Sequence, residues 1–260
     1  MDIEIYLSIY EMKRVISFSL WGDKEIYVQG ILKNVDMARE MYPDFECWVY
    51  VHKDSVPENT VRELESRSHY NVKIIFKYGD LAENKSMMWR FETIDDPDVE
   101  VNMSRDCDTI ILERERQAVY QWLDSDKLFH IMRDHPQHSW RIQGGMFGTR
   151  KNPTIPSWCV LMDRVHQTGA RIYDQVFLRD VIYPVVYRDS FIHASFHLFP
   201  NESTHRFPID YDENLNFVGQ YIYPDGSQNA TNVDELRQAL TYLRTEDAER
   251  CKRARMNMFF

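Results

Sequence analysis

The sequence predicts an α/β fold in which a mostly parallel central sheet is flanked by helices and followed by a loop-rich C-terminal part. Over roughly the first hundred residues, apolar segments typical of strands alternate with segments of helical periodicity. Such alternation gives parallel strands that are joined by right-handed crossovers. Beyond Asp189 the alternation fades, and Pro200 and Pro208 interrupt the chain.

The N-terminal half of the chain supplies four predicted strands with helices between them. The strands are short and apolar, or alternate between apolar and polar residues, and are predicted over Arg14–Leu20, Glu46–Val51, Val72–Phe76 and Val99–Ser104. Helices are predicted over Lys24–Met41, from about Pro57 onward, and over Met87–Ile94. Residues 1–13 are expected to form an extra strand or an appendage.

The C-terminal half begins with a predicted helix over Glu113–Leu123, because Val119, Trp122 and Leu123 share one face of it. Further strands and helices follow at wider spacing. The strands are predicted over Lys127–Arg133, Asp189–His193 and Asn216–Ile222, and the helices over Trp158–Thr168, Asp174–Val186 and Asp234–Arg253.

Composition narrows the class of protein. The 260 residues can build a sizeable core, and the net charge of −10 argues against a nucleic-acid partner, which needs a basic face. No apolar run approaches the roughly 18 residues of a membrane span. The acidic N-terminus does not resemble a signal peptide. The four cysteines are far apart, so neither a disulfide framework nor a zinc site is indicated, and a cytoplasmic location is expected.

Two aspartates, Asp106 and Asp108, come directly after the fourth predicted strand and precede a helix. In open α/β sheets, ligands bind at the carboxyl ends of the strands. Carboxylate oxygens at that edge suit Mg²⁺ or Mn²⁺ that carries substrate phosphates. The alternative interpretation is a solvated turn, because loops are rich in aspartate.

The glycines of the sequence are informative in two ways, through the motifs that they do not form and through one adjacent pair. The glycine-rich dinucleotide fingerprint and the phosphate loop with its lysine are both absent, so an NAD enzyme or a P-loop NTPase is not expected. Gly144 and Gly145 fall in a segment that otherwise alternates like a strand. Paired glycines allow the backbone to approach a ligand closely, or they form a hairpin or a bulge.

Several short segments, in this order and spacing, resemble small GT-A glycosyltransferase-like proteins of the large DNA viruses of algae, of the chlorovirus type. The segments are Ser104–Asp108, Glu113–Val119, Phe129–Pro136, Gly144–Gly148, Asp174–Leu178, His193–Phe196 and Phe217–Gln220. The resemblance covers roughly residues 14–222. One position departs from it, because Ala194 stands where an acidic residue is expected after the histidine.

The resemblance implies a divalent ion, Mn²⁺ or Mg²⁺, that binds the diphosphate of a sugar donor. Asp106 and Asp108 would hold this ion, and the alternative is that they cap the following helix. A histidine in the C-terminal part would be the third ligand. His193 is the first choice, with His197 and His205 as rivals.

The resemblance also assigns roles around the sugar donor. Base and ribose would contact residues at the end of the first strand and shortly after it: Ser19, Leu20, Trp21 and Tyr27. Trp21 could stack on the base, and the alternative is that it is a buried anchor for the first helix. Arg90 could meet phosphate or be a surface arginine, and Arg105 could orient the carboxylates or the donor sugar. Gly144 and Gly145 would line the sugar and acceptor pocket. Asp174 is the candidate general base, with Asp134 and Asp163 as alternatives.

These observations predict a single domain over residues 1–260, with a nucleotide-binding half at 14–110 and an acceptor half with the C-terminal helix at 111–260. The predicted activity is metal-dependent, inverting transfer of a sugar from a UDP-linked donor to a glycan or glycoprotein oligosaccharide, as in viral glycan synthesis in a host cytoplasm. The alternatives are a nucleotidyltransferase and an inactive module that binds glycans or nucleotide sugars.

Overall fold

The structure is a computed structural model, and it describes residues 12–81, 85–152, 154–164 and 172–256. Within residues 1–13, only the last two are described, and Lys13 begins the first strand. The predicted helix over Trp158–Thr168 is described as far as Arg164, and its last residues lie outside the described ranges. None of the helices described is long and apolar enough to cross a membrane.

One mixed sheet forms the centre of the molecule. Its strands are β1 Lys13–Leu20, β2 Glu46–His52, β3 Val72–Lys77, β4 Val99–Ser104, β5 Phe129–Arg133, β6 Phe147–Arg150, β7 Ser190–Ala194 and β8 Thr204–His205. Their order across the sheet is β3-β2-β1-β4-β6-β5-β7-β8. Neighbouring strands are parallel except at β6, which is antiparallel to both β4 and β5. The predicted mostly parallel sheet is therefore confirmed.

Helices cover both faces of this sheet. They are α1 Glu25–Met41, α2 Glu58–Ser66, α3 Glu113–Leu123, α4 Trp158–Arg164, α5 Tyr173–Phe177, α6 Tyr183–Val186 and α7 Ala230–Met256, with 3₁₀ segments that include Lys85–Asp95. On one face, α1, α2 and α3 bury an apolar cluster that contains Phe18, Ile31, Leu64, Val119 and Trp122. On the other face, the 3₁₀ segment, α4 and α5 bury a cluster that contains Phe91, Phe147, Trp158 and Phe177.

The predicted helix over Asp174–Val186 is present but not regular. A π-helical turn, Leu178–Ile182, joins α5 to α6. Pro184 lies in the first turn of α6, and its ring and missing N–H are incompatible with a regular α-helix through this point. The wider turn satisfies the backbone around the proline without ending the helical segment.

One predicted strand is wrong. Asn216–Ile222 is a loop, and its strand-like pairing is limited to isolated bridges such as that between Thr109 and Tyr221. Phe217 and Val218 are buried, so the apolar pattern reflects burial of a loop and not a sheet face. Gly219 has φ +78°, a backbone conformation that does not continue a strand.

The sheet order brings three chain segments to one edge. The carboxyl ends of β1 and β4 lie side by side, since Ser17 pairs with Ser104. Because β6 is antiparallel, its first residue lies at the same edge, and Phe147 pairs with Ser104. The aspartates after β4 and the glycines before β6 therefore meet, although the chain between them is about 40 residues long.

Candidate active site

The acidic turn, Asp106–Asp108, is held in place by helix α1. The Asn34 side chain donates to the carbonyl of Thr109 at 2.6 Å and accepts from the backbone N–H of Ile111 at 3.2 Å. A Cβ on Gly30 would lie 1.9 Å from the carbonyl oxygen of Cys107, so only glycine lets the helix come this close. Helix α3 begins at Glu113 with Leu112 at its N-cap, so neither aspartate caps it.

Arg90, in the 3₁₀ segment Lys85–Asp95, joins two carboxylates that are far apart in sequence. Its guanidinium forms ion pairs with Asp106 and, at 3.1 Å, with Asp174. The Arg90 side chain is 5% exposed and that of Asp174 is 1% exposed, whereas the Asp106 side chain keeps 39% of its surface open. The backbone N–H of Arg90 donates to the Ser19 hydroxyl at 3.0 Å. Arg90 is thus a buried bridge and not a surface arginine.

The glycine turn, Gly144–Gly145, packs directly against these carboxylates. A Cβ on Gly145 would lie 1.9 Å from Oδ2 of Asp106, and one on Gly144 would lie 2.5 Å from Oδ2 of Asp174. The Ser104 hydroxyl donates to the carbonyl of Gly144 at 2.8 Å and fixes the turn to the end of β4. The two glycines therefore leave the space in which both carboxylates sit.

Gln175 is a neighbour that sequence reasoning did not assign to the site. The orientation of its amide that satisfies both atoms donates to the carbonyl of Ile142 at 3.0 Å and accepts from the N–H of Gly144 at 2.9 Å. It thus fixes the glycine turn from the side of α5. Its position beside Asp174 in the resembling Asp174–Leu178 segment was the available signal.

Crowding of carboxylates shifts their proton affinity. Burial, and then the charge of Asp106, raises the pKa of Asp108 to about 7. Burial also raises the pKa of Asp174, while the Arg90 charge opposes this effect. Burial, followed by the charge of Asp108, raises the pKa of the Tyr27 phenol. The site therefore concentrates negative charge in a partly desolvated space.

The residues predicted to contact base and ribose divide into two kinds. Ser19, Trp21 and Tyr27 lie at the carboxyl edge, and Trp21 and Tyr27 are partly exposed. The prediction for Leu20 needs correction, because its side chain is fully buried in the apolar core with α1. Alternation along β1 turns Leu20 to the core and Ser19 to the opposite face.

Arg105 also needs correction. Its guanidinium is buried and pairs with Glu115 at 2.7 Å, and it donates to the carbonyls of Ser104 and Phe147 at 2.7 and 3.0 Å. These partners are all inside the fold. Arg105 therefore fastens α3 and β6 to the end of β4 and does not face a bound ligand.

The structure does not bring His193 to the acidic turn. Its ring nitrogens face His130 at 2.8 Å and Gln121 at 3.0 Å, inside the sheet and α3. β7 is three strands away from β4, which corresponds to about 14 Å. His197 donates to the carbonyl of Pro136, and His205 stacks on a phenylalanine. Within the described ranges, no three His, Cys, Asp or Glu side chains form a metal-binding group.

The alternative bases differ from Asp174 in their surroundings. Asp134 is fully buried and accepts from Arg114, Ser195, Tyr211 and the backbone N–H of Val218, so its carboxylate braces the C-terminal loops. Asp163 is exposed on α4. Asp174 is the one of these three that lies beside Arg90 and the glycine turn.

The chain is similar in structure to several solved proteins. No protein-family model and no curated protein matches the sequence. The chain is similar to a glycosyltransferase involved in glycosylation of the major capsid of PBCV-1, with TM-score 0.45 and 13% identity over 70% of this chain and 81% of that chain. It is similar to the galactosyltransferase LgtC, solved with donor and acceptor sugar analogs, with TM-score 0.45 and 13% identity over 69% and 73% of the two chains.

A third similar solved structure bears the name of a different enzyme. It is 4-diphosphocytidyl-2C-methyl-D-erythritol synthase from Anaerococcus prevotii DSM 20548, with TM-score 0.45 and 11% identity over 88% of this chain and 99% of that chain. One architecture can host many unrelated activities. The function of this chain has to be inferred from the residues at its own carboxyl edge.

Proposed function

We propose that the protein is a metal-dependent glycosyltransferase that transfers a sugar from a nucleoside-diphosphate donor to a glycan hydroxyl. The observation that carries this proposal is the meeting of four distant segments at one sheet edge. Arg90, the acidic turn, the glycine turn and Asp174 lie in contact there. This edge is where open α/β sheets bind ligands.

The acidic turn fits a divalent ion. Asp106 and Asp108 offer hard carboxylate oxygens, and Mg²⁺ in particular binds through one or two carboxylates while substrate phosphates and water complete its shell. A cation would also offset the burial and the repulsion from Asp106 that together raise the pKa of Asp108. When bound, such an ion neutralises the negative charge that develops on the departing nucleoside diphosphate. Mn²⁺ is an equally suitable ion for oxygen ligands.

Arg90 and the glycine turn prepare the pocket for the sugar. Arg90 keeps the Asp106 carboxylate in one orientation, because its guanidinium is fixed in turn by Asp174 and the carbonyl of Arg105. Gly144 and Gly145 are buried, and an added Cβ at either position would collide with a carboxylate. The site can therefore offer the partly exposed Asp106 carboxylate to sugar hydroxyls.

Asp174 is the proposed general base of an inverting reaction. An acceptor hydroxyl becomes a nucleophile when a carboxylate takes its proton, and a base whose pKa lies nearer to the working pH does so more efficiently. Burial raises the pKa of Asp174, and Arg90 keeps its carboxylate charged and oriented. UDP is the proposed nucleotide, and an oligosaccharide, free or on a glycoprotein, is the proposed acceptor.

The test is a panel of nucleotide sugars with Mn²⁺ or with EDTA. If release of a nucleoside diphosphate depends on the metal, the result supports glycosyl transfer. Release of pyrophosphate from a nucleoside triphosphate supports nucleotidyl transfer. If no substrate is turned over, the result supports a binding module.

Two variants separate the proposed roles. Asp108→Asn should weaken metal-dependent UDP binding in calorimetry. Asp174→Asn should bind UDP and Mn²⁺ almost normally but lose about 10²–10⁴-fold in turnover. Asp126→Asn, at an exposed position, is the matched control and should behave like the wild type. Wild-type turnover in Asp174→Asn would contradict its role as the base.

A further inference from the structure

A chain of hydrogen bonds links the ends of β1, β2 and β3. Nε2 of His52, the last residue of β2, lies 3.0 Å from the carbonyl oxygen of Gly79, and its Nδ1 lies 2.8 Å from the Ser55 hydroxyl. The oxygen of this hydroxyl accepts from the backbone N–H of Gly22 at 2.8 Å. His52 is 4% exposed, so its imidazole is shielded from water.

Each group in this chain acts in one direction. A carbonyl oxygen cannot donate, so Nε2 of His52 carries the proton and Nδ1 is an acceptor. The Ser55 hydroxyl therefore donates to Nδ1 and uses its oxygen to accept from Gly22. Loss of this single hydroxyl would break two of the three links.

The chain runs along the carboxyl edge of the sheet, beside the acidic turn. His52 ends β2, whereas Gly22 and Gly79 follow β1 and β3, and the three strands are parallel. β1 is the neighbour of β4, and adjacent strands lie about 5 Å apart. The turn at Gly22 is thus fixed one strand away from the strand that leads into the acidic turn.

His52 also contacts the segment that carries Arg90. Its ring stacks on that of Trp89, with centroids 6.0 Å apart and planes 20° from parallel. Arg90 comes next in the chain and forms ion pairs with Asp106 and Asp174. The imidazole is therefore bonded to the turn after β1 and packed against the segment that holds the carboxylates.

The turn after β1 has the chemistry to bind the base of a nucleotide. Trp21 is partly exposed, so its indole is available to stack on a flat base. Gly22 has φ +74°, a left-handed conformation that glycine adopts without strain. A nucleotide whose diphosphate lies at the acidic turn would have its base within reach of this neighbouring turn.

We propose that His52 and Ser55 are positioning residues for the nucleotide, which fix the turn after β1 so that Trp21 meets the base. The role rests on the function proposed above, because it takes the donor to be a nucleoside diphosphate. Neither side chain touches the reacting atoms. Loss of the chain should therefore weaken nucleotide binding and leave turnover at saturating donor unchanged.

The test uses UDP as the probe and measures its affinity by calorimetry, with and without Mn²⁺. Ser55→Ala should weaken UDP binding by about three- to tenfold, as expected when hydrogen bonds that support a binding site are lost. The ratio of the two affinities should stay as in the wild type, because the acidic turn is intact. Ser55→Thr keeps the hydroxyl and should bind UDP like the wild type. In a transfer assay, Ser55→Ala should raise KM for the donor and leave kcat unchanged.

Ser190→Ala is the matched control. The Ser190 hydroxyl is buried in β7 and donates to the carbonyl of Val186 at 2.8 Å, so its loss should lower the unfolding temperature and leave UDP affinity unchanged.

The outcomes separate the positioning role from the transfer reaction. Equal UDP affinity in Ser55→Ala and the wild type would overturn the positioning role and leave the transfer reaction standing. An equal loss of affinity in Ser55→Thr and Ser55→Ala would also overturn it. A loss in Ser55→Ala alone would support the role even if no sugar were transferred, a result that contradicts only the proposed reaction. A wild type that binds no UDP with Mn²⁺ would overturn both.

Discussion

At the scale of single residues, the site depends on glycine, because a residue with a side chain would not fit at position 145. Gly145 has no Cβ, and the Asp106 carboxylate occupies the space in which one would lie. The same carboxylate is paired with Arg90, so it has little freedom to move away from an added group. A methyl group added at position 145 would therefore displace the carboxylate of Asp106, a proposed metal ligand.

Gly145→Ala is expected to displace the Asp106 carboxylate and to weaken metal-dependent UDP binding by at least tenfold, while far-UV circular dichroism stays normal. The physical reason is the 1.9 Å approach between the added Cβ and Oδ2 of Asp106. Gly226→Ala is the control, since Gly226 has φ +85° but nothing within 4 Å of its Cβ position. This control should lower stability slightly through backbone strain and leave UDP binding intact. Normal UDP affinity in Gly145→Ala would contradict the contact.

At the scale of secondary-structure elements, helix α1 determines where the acidic turn lies. Asn34 fastens the helix to the turn through the carbonyl of Thr109 and the N–H of Ile111. Gly30, one helical turn earlier, allows the backbones to touch. The Cys107 thiol donates to the carbonyl of Ser19 at 3.2 Å and adds a link to β1. The packing of β1, α1 and β4 therefore holds the acidic turn in place.

Asn34→Asp should destabilise the protein by about 1–3 kcal/mol, because a carboxylate cannot donate to the carbonyls that Asn34 satisfies. Denaturant unfolding measures this change. Asn152→Asp is the matched control. The oxygen of the Asn152 side chain accepts hydrogen bonds from Thr154, and a carboxylate oxygen can accept the same bonds. A loss of equal size in both variants would show that the Asn34 donor groups are not responsible.

At the scale of the whole molecule, buried polar groups connect β5 to the C-terminal loops. Asp134 binds Arg114, Ser195, Tyr211 and Val218, and removal of one partner of a buried ion pair typically costs about 3–5 kcal/mol. His138 belongs to the same region, since its Nδ1 accepts from the N–H of Asp134 at 3.1 Å. These contacts join β5 and α3 to the C-terminal loops through buried polar groups.

The free energy of unfolding should fall as the pH drops below about 6.5. Burial and the neighbouring His135 and His197 lower the pKa of His138 to about 3, and burial and His205 lower that of His193 to about 3. Between these values and the ordinary histidine value, the unfolded chain binds protons that the folded chain does not. Stability contributed by the two neutral histidines is therefore complete above this window and lost within it.

Urea unfolding at about pH 7.5 and about pH 5 tests this expectation, and His138→Asn should show a smaller difference between the two than the wild type. Asp108 acts in the opposite direction, because its raised pKa favours the protonated folded protein, so the comparison between variant and wild type is decisive. His69→Asn, at an exposed position, is the control. If His138→Asn and the wild type lose the same free energy of unfolding between the two pH values, His138 does not contribute to the loss of stability in acid.

The sequence alone determined the features that depend on local patterns. The strands β1 to β4 and their helices follow from apolar periodicity, which neighbouring residues create by themselves. The acidic turn could be placed at the carboxyl end of β4 because that edge is fixed by strand direction. Asp174 and the glycine pair could be named from their motifs, and Arg90 from its position before β4, and the structure brings all of them together at this edge.

Tertiary structure alone decided which side chains face the site. The antiparallel insertion of β6 between β4 and β5 brings Gly145 to Asp106, and the position of β7 carries His193 three strands away. Arg105 turns inward to Glu115, and Asn216–Ile222, which was predicted as a strand, is a loop. These outcomes depend on contacts between residues that are distant in the chain. Local periodicity holds no information about such contacts, because it records only which residues are buried and not what they are buried against.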